Sequence, residues 1–418
     1  MKKPRIFWGW YIVAAGVALS AYNSGMFVYG FTAFIGPIAA TFGWSYAQIS
    51  LATSLRGLES GALNPLLGVL VDRWPSKRLV LIGVIILGIG VIWVSQAASL
   101  VMFYIGFLFL GLGSSLAAFM VPQATMVRWF EKDIGKASGV LAMGMGISGA
   151  FIPVTVRLID AFGWQQSLIF LAFGMFAIGI PLSFVFRSRP EDYGLLPDGK
   201  PQTDIKRADV KNSYGFGTTT GDAIRMRAFW HIGIACTLQM SAVMAVNTHV
   251  MPYLESIGIE RTTAGTVAMF IPLTSLIARF PFGFLCDIVV KKYVMALALL
   301  LKSIGLICFW FLGNGHPELI LPCVIFFGLG SGGMTAPRTP ILREYFGTKN
   351  FGTIFGLTSI FFTIGMVISP TLAGWVFDST GSYQPVWLAM SGTTLAGAII
   401  IITAPHARKG LASVVDQS

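Results

Sequence analysis

The sequence predicts an all-α membrane protein of twelve transmembrane helices, arranged as two pseudo-symmetric six-helix halves. Three observations predict it. The composition is too apolar for a soluble chain, twelve apolar runs alternate with short polar ones, and a set of matched residues repeats at a fixed offset.

Of 418 residues, 55% are hydrophobic and only 11% charged, where a soluble domain carries roughly 25% charged residues. Phe and Gly are abundant, 33 and 48, as suits aromatic side chains against lipid and small residues between close helices. A spanning helix takes about 20 apolar residues, so twelve of them with short loops leave no room for a sizeable soluble domain. The apolar run after Lys2, Lys3 and Arg5 continues far past a signal-peptide core, so no cleavable leader is expected. Cys236, Cys286, Cys308 and Cys323 have no Cys-x-x-Cys spacing and no neighbouring His. Neither a metal site nor a disulfide framework is expected from them, and no cofactor motif is present.

The apolar spans read as 9–34, 47–71, 79–96, 100–127, 136–157 and 165–186, then 229–253, 263–286, 293–312, 318–341, 351–376 and 384–404. The one long hydrophilic stretch, 187–227, reads as a cytoplasmic linker between halves 1–186 and 228–418. With the N-terminus inside, the basic residues outside the helices fall on the cytoplasmic side, and only Arg157 and Arg261 on the other. Arg56, Arg279, Lys302 and Arg338 lie within helices. This asymmetry is the positive-inside signature, and it places both termini in the cytoplasm. It also accounts for the net charge of +11 without nucleic acid.

The two halves repeat each other. Gly68, Asp72 and Lys77 recur as Gly283, Asp287 and Lys292, and Pro122 and Arg128 as Pro337 and Arg343, all at an offset of 215. Pro153 then matches Pro370, and Asp160 and Gly163 match Asp378 and Gly381, the offset drifting to 218. Parallel six-helix repeats are the architecture of major-facilitator transporters, with substrate held near the midplane.

The stretch Gly68-Val69-Leu70-Val71-Asp72-Arg73-Trp74-Pro75-Ser76-Lys77-Arg78 resembles the signature loop of the major facilitator superfamily, with Pro75 where a second Gly is usual. The resemblance implies that Asp72 pairs with cytoplasmic basic groups as a gating latch. Asp287, Arg73 and Arg128 join it as gating candidates. Phe7-Trp8-Gly9-Trp10-Tyr11 resembles the opening of the monocarboxylate transporters. Arg128-Trp129-Phe130-Glu131-Lys132 with Ala137-Ser138-Gly139 is similar to their motif leading into helix five. Arg189-Pro190-Glu191-Asp192-Tyr193-Gly194-Leu195 resembles the central loop of bacterial relatives, including the oxalate–formate antiporter group. These stretches name a family and not a substrate.

Charged residues inside a membrane cost about 2.5–3.5 kcal/mol on insertion scales and face a cavity or a partner. Arg279 precedes Asp287 by eight residues, ~12 Å along a helix, which puts it near the middle of a ~30 Å hydrocarbon core. The family carries an arginine at a similar place in helix eight, where it binds the substrate carboxylate. A guanidinium matches a carboxylate fork to fork, and the competing reading is a structural arginine paired with helix carbonyls or a protein carboxylate. Ser275 stands where mammalian-type members have an Asp, helix one has no Lys, and 351–376 has no second cation. A single central cation suits a monoanion and leaves the proton-coupling residue open.

Arg56 and Glu59 share one face of helix two. They read either as a self-neutralising pair or as a proton carrier at Glu59, burial favouring the neutral acid and Arg56 the charged one. His249, with Asn247 beside it, is a substrate or proton candidate near the outer end of helix seven, against the bland reading of an interfacial His. Gln239 lies nearer the midplane as a substrate contact or as interhelical glue. Asn23 and Tyr29 of helix one, with Tyr22, are placed to line a cavity, lipid anchoring being the alternative for Tyr22. Lys302 reads as snorkelling or paired, and Arg338 as an inner-gate residue. The glycines Gly135, Gly139, Gly144, Gly146 and Gly149 read as helix packing, since no strand precedes them to make a phosphate loop.

The sequence therefore reads as a secondary transporter, not an enzyme, of small organic monocarboxylates such as lactate or pyruvate. Proton symport or anion exchange by a monomeric unit in a bacterial inner membrane is the expected mode. The alternative is an effluxer of drugs or other metabolites on the same fold.

Overall fold

The structure, a computed structural model, describes residues 7–199 and 217–405. The basic residues Lys2, Lys3, Arg5, Lys200, Lys206, Arg207, Lys211, Arg408 and Lys409 lie outside the described residues, as do the side chains of Tyr29 and Arg261.

Twelve spans follow one another, labelled in chain order. α1 covers 8–42, α2 Tyr46–Arg73, α3 Ser76–Ser95, α4 Leu100–Trp129, α5 134–162 and α6 164–183. α7 is Arg227–Ser256, α8 Arg261–Ile288, α9 Lys291–Leu312, α10 Pro317–Phe346, α11 Phe351–Thr380 and α12 Gln384–Ile402. Nine helices among the described residues are long and apolar enough to cross a bilayer alone. The remaining spans are α1, α2 and α5. α2 carries Arg56, Glu59, Asp72 and Arg73, and α1 and α5 are each interrupted by a turn of another helix type. Large apolar side chains cover the outside, with Ile277 67%, Trp375 66% and Leu66 64% exposed, as a bilayer solvent requires.

Local signals explain the helix ends and breaks. Ser45 and Gln48 form a reciprocal capping box at the start of α2, satisfying donors the first turn leaves open. α1 runs to Phe42, beyond the expected residue 34, through a π-helical turn at Ser24–Tyr29. α4 holds a second π turn, Ser115–Met120, just before Pro122. Proline has no N–H to return to the preceding turn, so a helix bends there. α10 likewise breaks between Thr335 and Arg338, around Pro337, the repeat partner of Pro122. α5 gives way to α6 at Gly163 (φ 76°) and α11 ends at Gly381 (φ 69°). These are the two glycines the repeat matched, and a left-handed φ is what only glycine adopts without strain.

The chain forms two compact units, one of Met1–Asp133, Val140–Gly215 and Thr348–Gly356, the other of Ile134–Gly139, Phe216–Gly347 and Leu357–Ser418. In the first, the family-like stretches converge. Phe7 packs on Trp129 and Phe130 with ring centroids 5.6 and 5.4 Å apart, and Trp10 on Phe130 at 5.0 Å. The Arg187 guanidinium lies 3.7 Å from the Trp8 ring and 4.1 Å from Tyr193. Asp198 accepts from the Glu131 and Lys132 amides. The stretches thus build one aromatic cation–π cluster, which is scaffold. In the second unit, α9 is tied to α12 by reciprocal Ser303–Ser391 hydrogen bonds. Gly139 and Gly283 meet so closely that a Cβ on either would lie 3.2 Å or less from the other's backbone, which is the packing role expected of the α5 glycines.

Candidate functional site

Helix geometry places the repeat-matched aspartates at two equivalent caps, one in each unit. Asp72 Oδ1 accepts from the Gly352 amide at 2.8 Å, and Oδ2 from the Thr353 amide and hydroxyl at 2.8 and 2.7 Å. Asp287 accepts from the Gly135 and Lys136 amides at 2.6 and 2.9 Å. Each carboxylate sits on the N-terminal turn of a helix, where open N–H groups and the helix dipole favour an anion. The expected basic partner of Asp72 is secondary. Arg128 stands 3.8 Å away and donates instead to the Val71 carbonyl at 3.0 Å. Arg73 is exposed, with no ion pair among the described residues. The sequence missed these caps because amide donors leave no residue-type signal.

In the second unit, Arg279 is half-buried on α8, between Pro272 and Pro281. Each proline frees a carbonyl one turn earlier, so the helix around Arg279 is locally polar. Ser275, one turn before it, is 8% exposed. His249 is half-buried, with Nε2 3.0 Å from the Pro370 carbonyl and Nδ1 3.1 Å from the Tyr383 hydroxyl. A carbonyl only accepts, so Nε2 carries the hydrogen and Nδ1 accepts a hydrogen bond from the Tyr383 hydroxyl. His249 is thus a bonded residue and not one left to interfacial water. Asn247 is exposed, whereas Gln239 is 3% exposed with Oε1 lacking a hydrogen-bond partner among the described residues. Arg338 donates to Ser359 at 3.0 Å and lies 3.9 Å from the Phe362 ring, so α11 holds its guanidinium.

Lys302 departs from expectation. Its side chain is 0% exposed, and Nζ has no hydrogen-bond partner among the described residues. The Phe327 ring lies 5.8 Å away. Among the described residues the side chain neither reaches a helix end nor finds an acceptor, because it starts at the middle of α9.

The first unit holds a polar cluster only partly legible in the sequence. Asn23 is fully buried, its Oδ1 accepting from Ser114 Oγ at 2.7 Å. Ser114 in turn accepts from Arg56 Nη2 at 3.0 Å, and Nη1 donates to the Phe27 carbonyl at 2.9 Å. Tyr22, placed at a cavity or lipid interface by sequence, is 6% exposed and donates to the Leu171 carbonyl. It is a core residue. The side chain of Tyr29 is outside the described residues. Arg56 and Glu59 make no ion pair within 4 Å; Glu59 Oε2 is buried with no hydrogen-bond partner among the described residues, against Gly111, where a Cβ would come within 1.9 Å of it. Ser114, the bridging residue, was missed because a serine in an apolar helix carries no signal of its own.

Residues 13–273 and 249–416 match the Major Facilitator Superfamily. Monocarboxylate transporter 13 of Bos taurus is 24% identical over 411 residues, covering 97% of this chain and 91% of that one. Human monocarboxylate transporter 2 is 23% identical, covering 94% and 85%. Among solved structures, the human organic anion transporter MFSD10 superposes with a TM-score of 0.71 at 12% identity, covering 94% of this chain and 99% of that one. The major-facilitator transporter FucP in its outward conformation superposes with a TM-score of 0.68 at 16% identity, covering 95% and 99%.

Proposed function

The chain belongs to the major facilitator superfamily, and we propose that this multi-pass membrane transporter carries small organic monocarboxylates of the lactate and pyruvate kind. Arg279 is the observation that carries the proposal, a guanidinium half-buried on α8 at mid-helix depth, where a carboxylate finds a matched fork of donors. The names of the relatives, monocarboxylate transporters along nearly the whole chain, support the same substrate class. Gln239, Asn247 and His249 of α7 are the further substrate contacts, with Asn23 and Tyr29 of α1. Transport runs by alternating access as proton symport or anion exchange, with Glu59 and His249 as the proton candidates. The Asp72 and Asp287 caps, with Arg73, Arg128 and Arg338, act as gating contacts that open and close in turn. The working unit is a monomer in a bacterial inner membrane, with both termini cytoplasmic and halves 1–186 and 228–418 joined by 187–227.

A thermal-shift panel of small carboxylates on purified wild type and Arg279→Ala tests the proposal, since a ligand that binds the folded state raises the melting temperature with its saturation. Stabilisation of wild type alone by monocarboxylates is the expected outcome. Equal stabilisation of both proteins removes Arg279 from the site. No response to carboxylates, with stabilisation by lipophilic cations, replaces the reading with that of a drug effluxer.

A further inference from the structure

We infer that Glu59 is a proton-binding site built at the junction of two π turns, and that its protonation couples the proton gradient to transport. The inference rests on the carrier reading above and names its coupling ion and residue. In major-facilitator halves the six helices are themselves two three-helix repeats, so α1 and α4 occupy corresponding positions. Both are interrupted by a π turn, at Ser24–Tyr29 and Ser115–Met120. Such turns concentrate at functional sites, and paired interruptions in corresponding helices point to a binding site.

Arg56 joins the two turns. It donates to the Phe27 carbonyl inside the first and to Ser114, the residue preceding the second; Ser114 then reaches Asn23, the residue preceding the first. Both terminal nitrogens of the guanidinium are therefore engaged by neutral acceptors, and Glu59 is left beside the junction. An ionised carboxylate needs donors on both oxygens, whereas the protonated acid carries its own. Glu59 Oε2 has no donor among the described residues, while the residue as a whole is only half-buried, so a proton can reach it.

Among the described side chains, the helices around α2 carry few other titratable groups. α1 carries Tyr11 and Tyr22, and Tyr22 is committed to the Leu171 carbonyl. α4 brings Tyr104, which donates to the Gln48 carbonyl, and Arg128, which lies at Asp72. On α2 itself only Arg56 is near. Taking up one proton changes the Arg56–Glu59 cluster from neutral to a single positive charge, and one proton carried with one monoanion moves no net charge. The other proton candidate, His249, already spends both ring nitrogens on Pro370 and Tyr383; its protonation requires the Tyr383 hydroxyl to turn round.

The test uses the full chain, in two measurements on wild type, Glu59→Gln and Glu59→Asp. Infrared titration of the reconstituted protein reads the carbonyl stretch of a protonated carboxylic acid. Proteoliposomes read accumulation of labelled lactate driven by a pH gradient, and the pH dependence of lactate counterflow. Expected are a pH-sensitive acid band missing from Glu59→Gln, accumulation falling to the equilibrium ratio in that variant, counterflow that no longer varies with pH, and retention of all three responses in Glu59→Asp. An unchanged band or unchanged accumulation in Glu59→Gln overturns the inference. If wild type moves no lactate but Glu59→Gln still loses the band, the substrate reading fails and the proton site stands.

Discussion

Two mid-helix cations, half-buried Arg56 in one compact unit and buried Lys302 in the other, are housed in opposite ways. Arg56 of the first unit has a carbonyl on one nitrogen, a serine on another and Glu59 on its own helix face. Lys302 of the second unit has no acceptor among the described residues. The neighbouring Ile320–Thr335 and Gln384–Ile402 helices contain no carboxylate. Satisfied donors let a guanidinium stay charged in a low-dielectric interior, and an ammonium stripped of partners pays a desolvation cost that nothing offsets. A charged residue type at mid-helix therefore does not define a site. The acceptors around it do, and these are supplied by other helices.

The contrast can be broken most directly at Arg56. Arg56→Met leaves the Phe27 carbonyl and the Ser114 hydroxyl without their donor, and each acceptor left unpaired costs about 1–3 kcal/mol. A clear fall in melting temperature in detergent, partly restored by adding Glu59→Gln, is expected; an unchanged melt would mean the cluster is not structurally coupled. Lys302→Met shifts stability the other way, because it removes a buried amine with no hydrogen-bond acceptor among the described residues, worth about 1–3 kcal/mol. A lower melting temperature in that variant would show that Lys302 has a stabilising contact. Gly111→Ala sharpens the comparison within the first unit, since its Cβ would overlap Glu59 Oε2. A cost of about 1–3 kcal/mol, together with altered pH dependence of transport, is expected, whereas wild-type behaviour in both would place Glu59 away from α4. Ser114→Ala is the mildest change, removing one bridging hydroxyl for about 0.5–1.5 kcal/mol; it should lower the melting temperature less than Arg56→Met does.

The repeat shows how much of this was legible in the chain. Gly163 and Gly381, matched from sequence only as repeat partners, both stand at helix ends with positive φ, a conformation that glycine adopts without strain. Matching Asp72 with Asp287 identified equivalent positions but not their partners, since a helix N-terminus offers backbone amides whatever its sequence. Lys77 and Lys292, matched in the same way, find different contacts. Lys77 sits 4.0 Å from the Phe184 ring, and Lys292 caps the Ile402 and Ala404 carbonyls.

The all-α membrane class, the twelve spans, the repeat and the family were in the sequence alone, because lipid demands apolar runs of fixed length and residue types record the repeat. It also marked Arg56, Glu59, Arg279 and Lys302 as exceptional, because a charge in an apolar run is visible one residue at a time. Tertiary structure alone decided that Arg56 bridges two π turns, that Ser114 and Asn23 complete the bridge, and that Lys302 has no acceptor among the described residues. Those outcomes depend on which carbonyls and hydroxyls of distant helices arrive within about 3 Å, a distance no local pattern encodes.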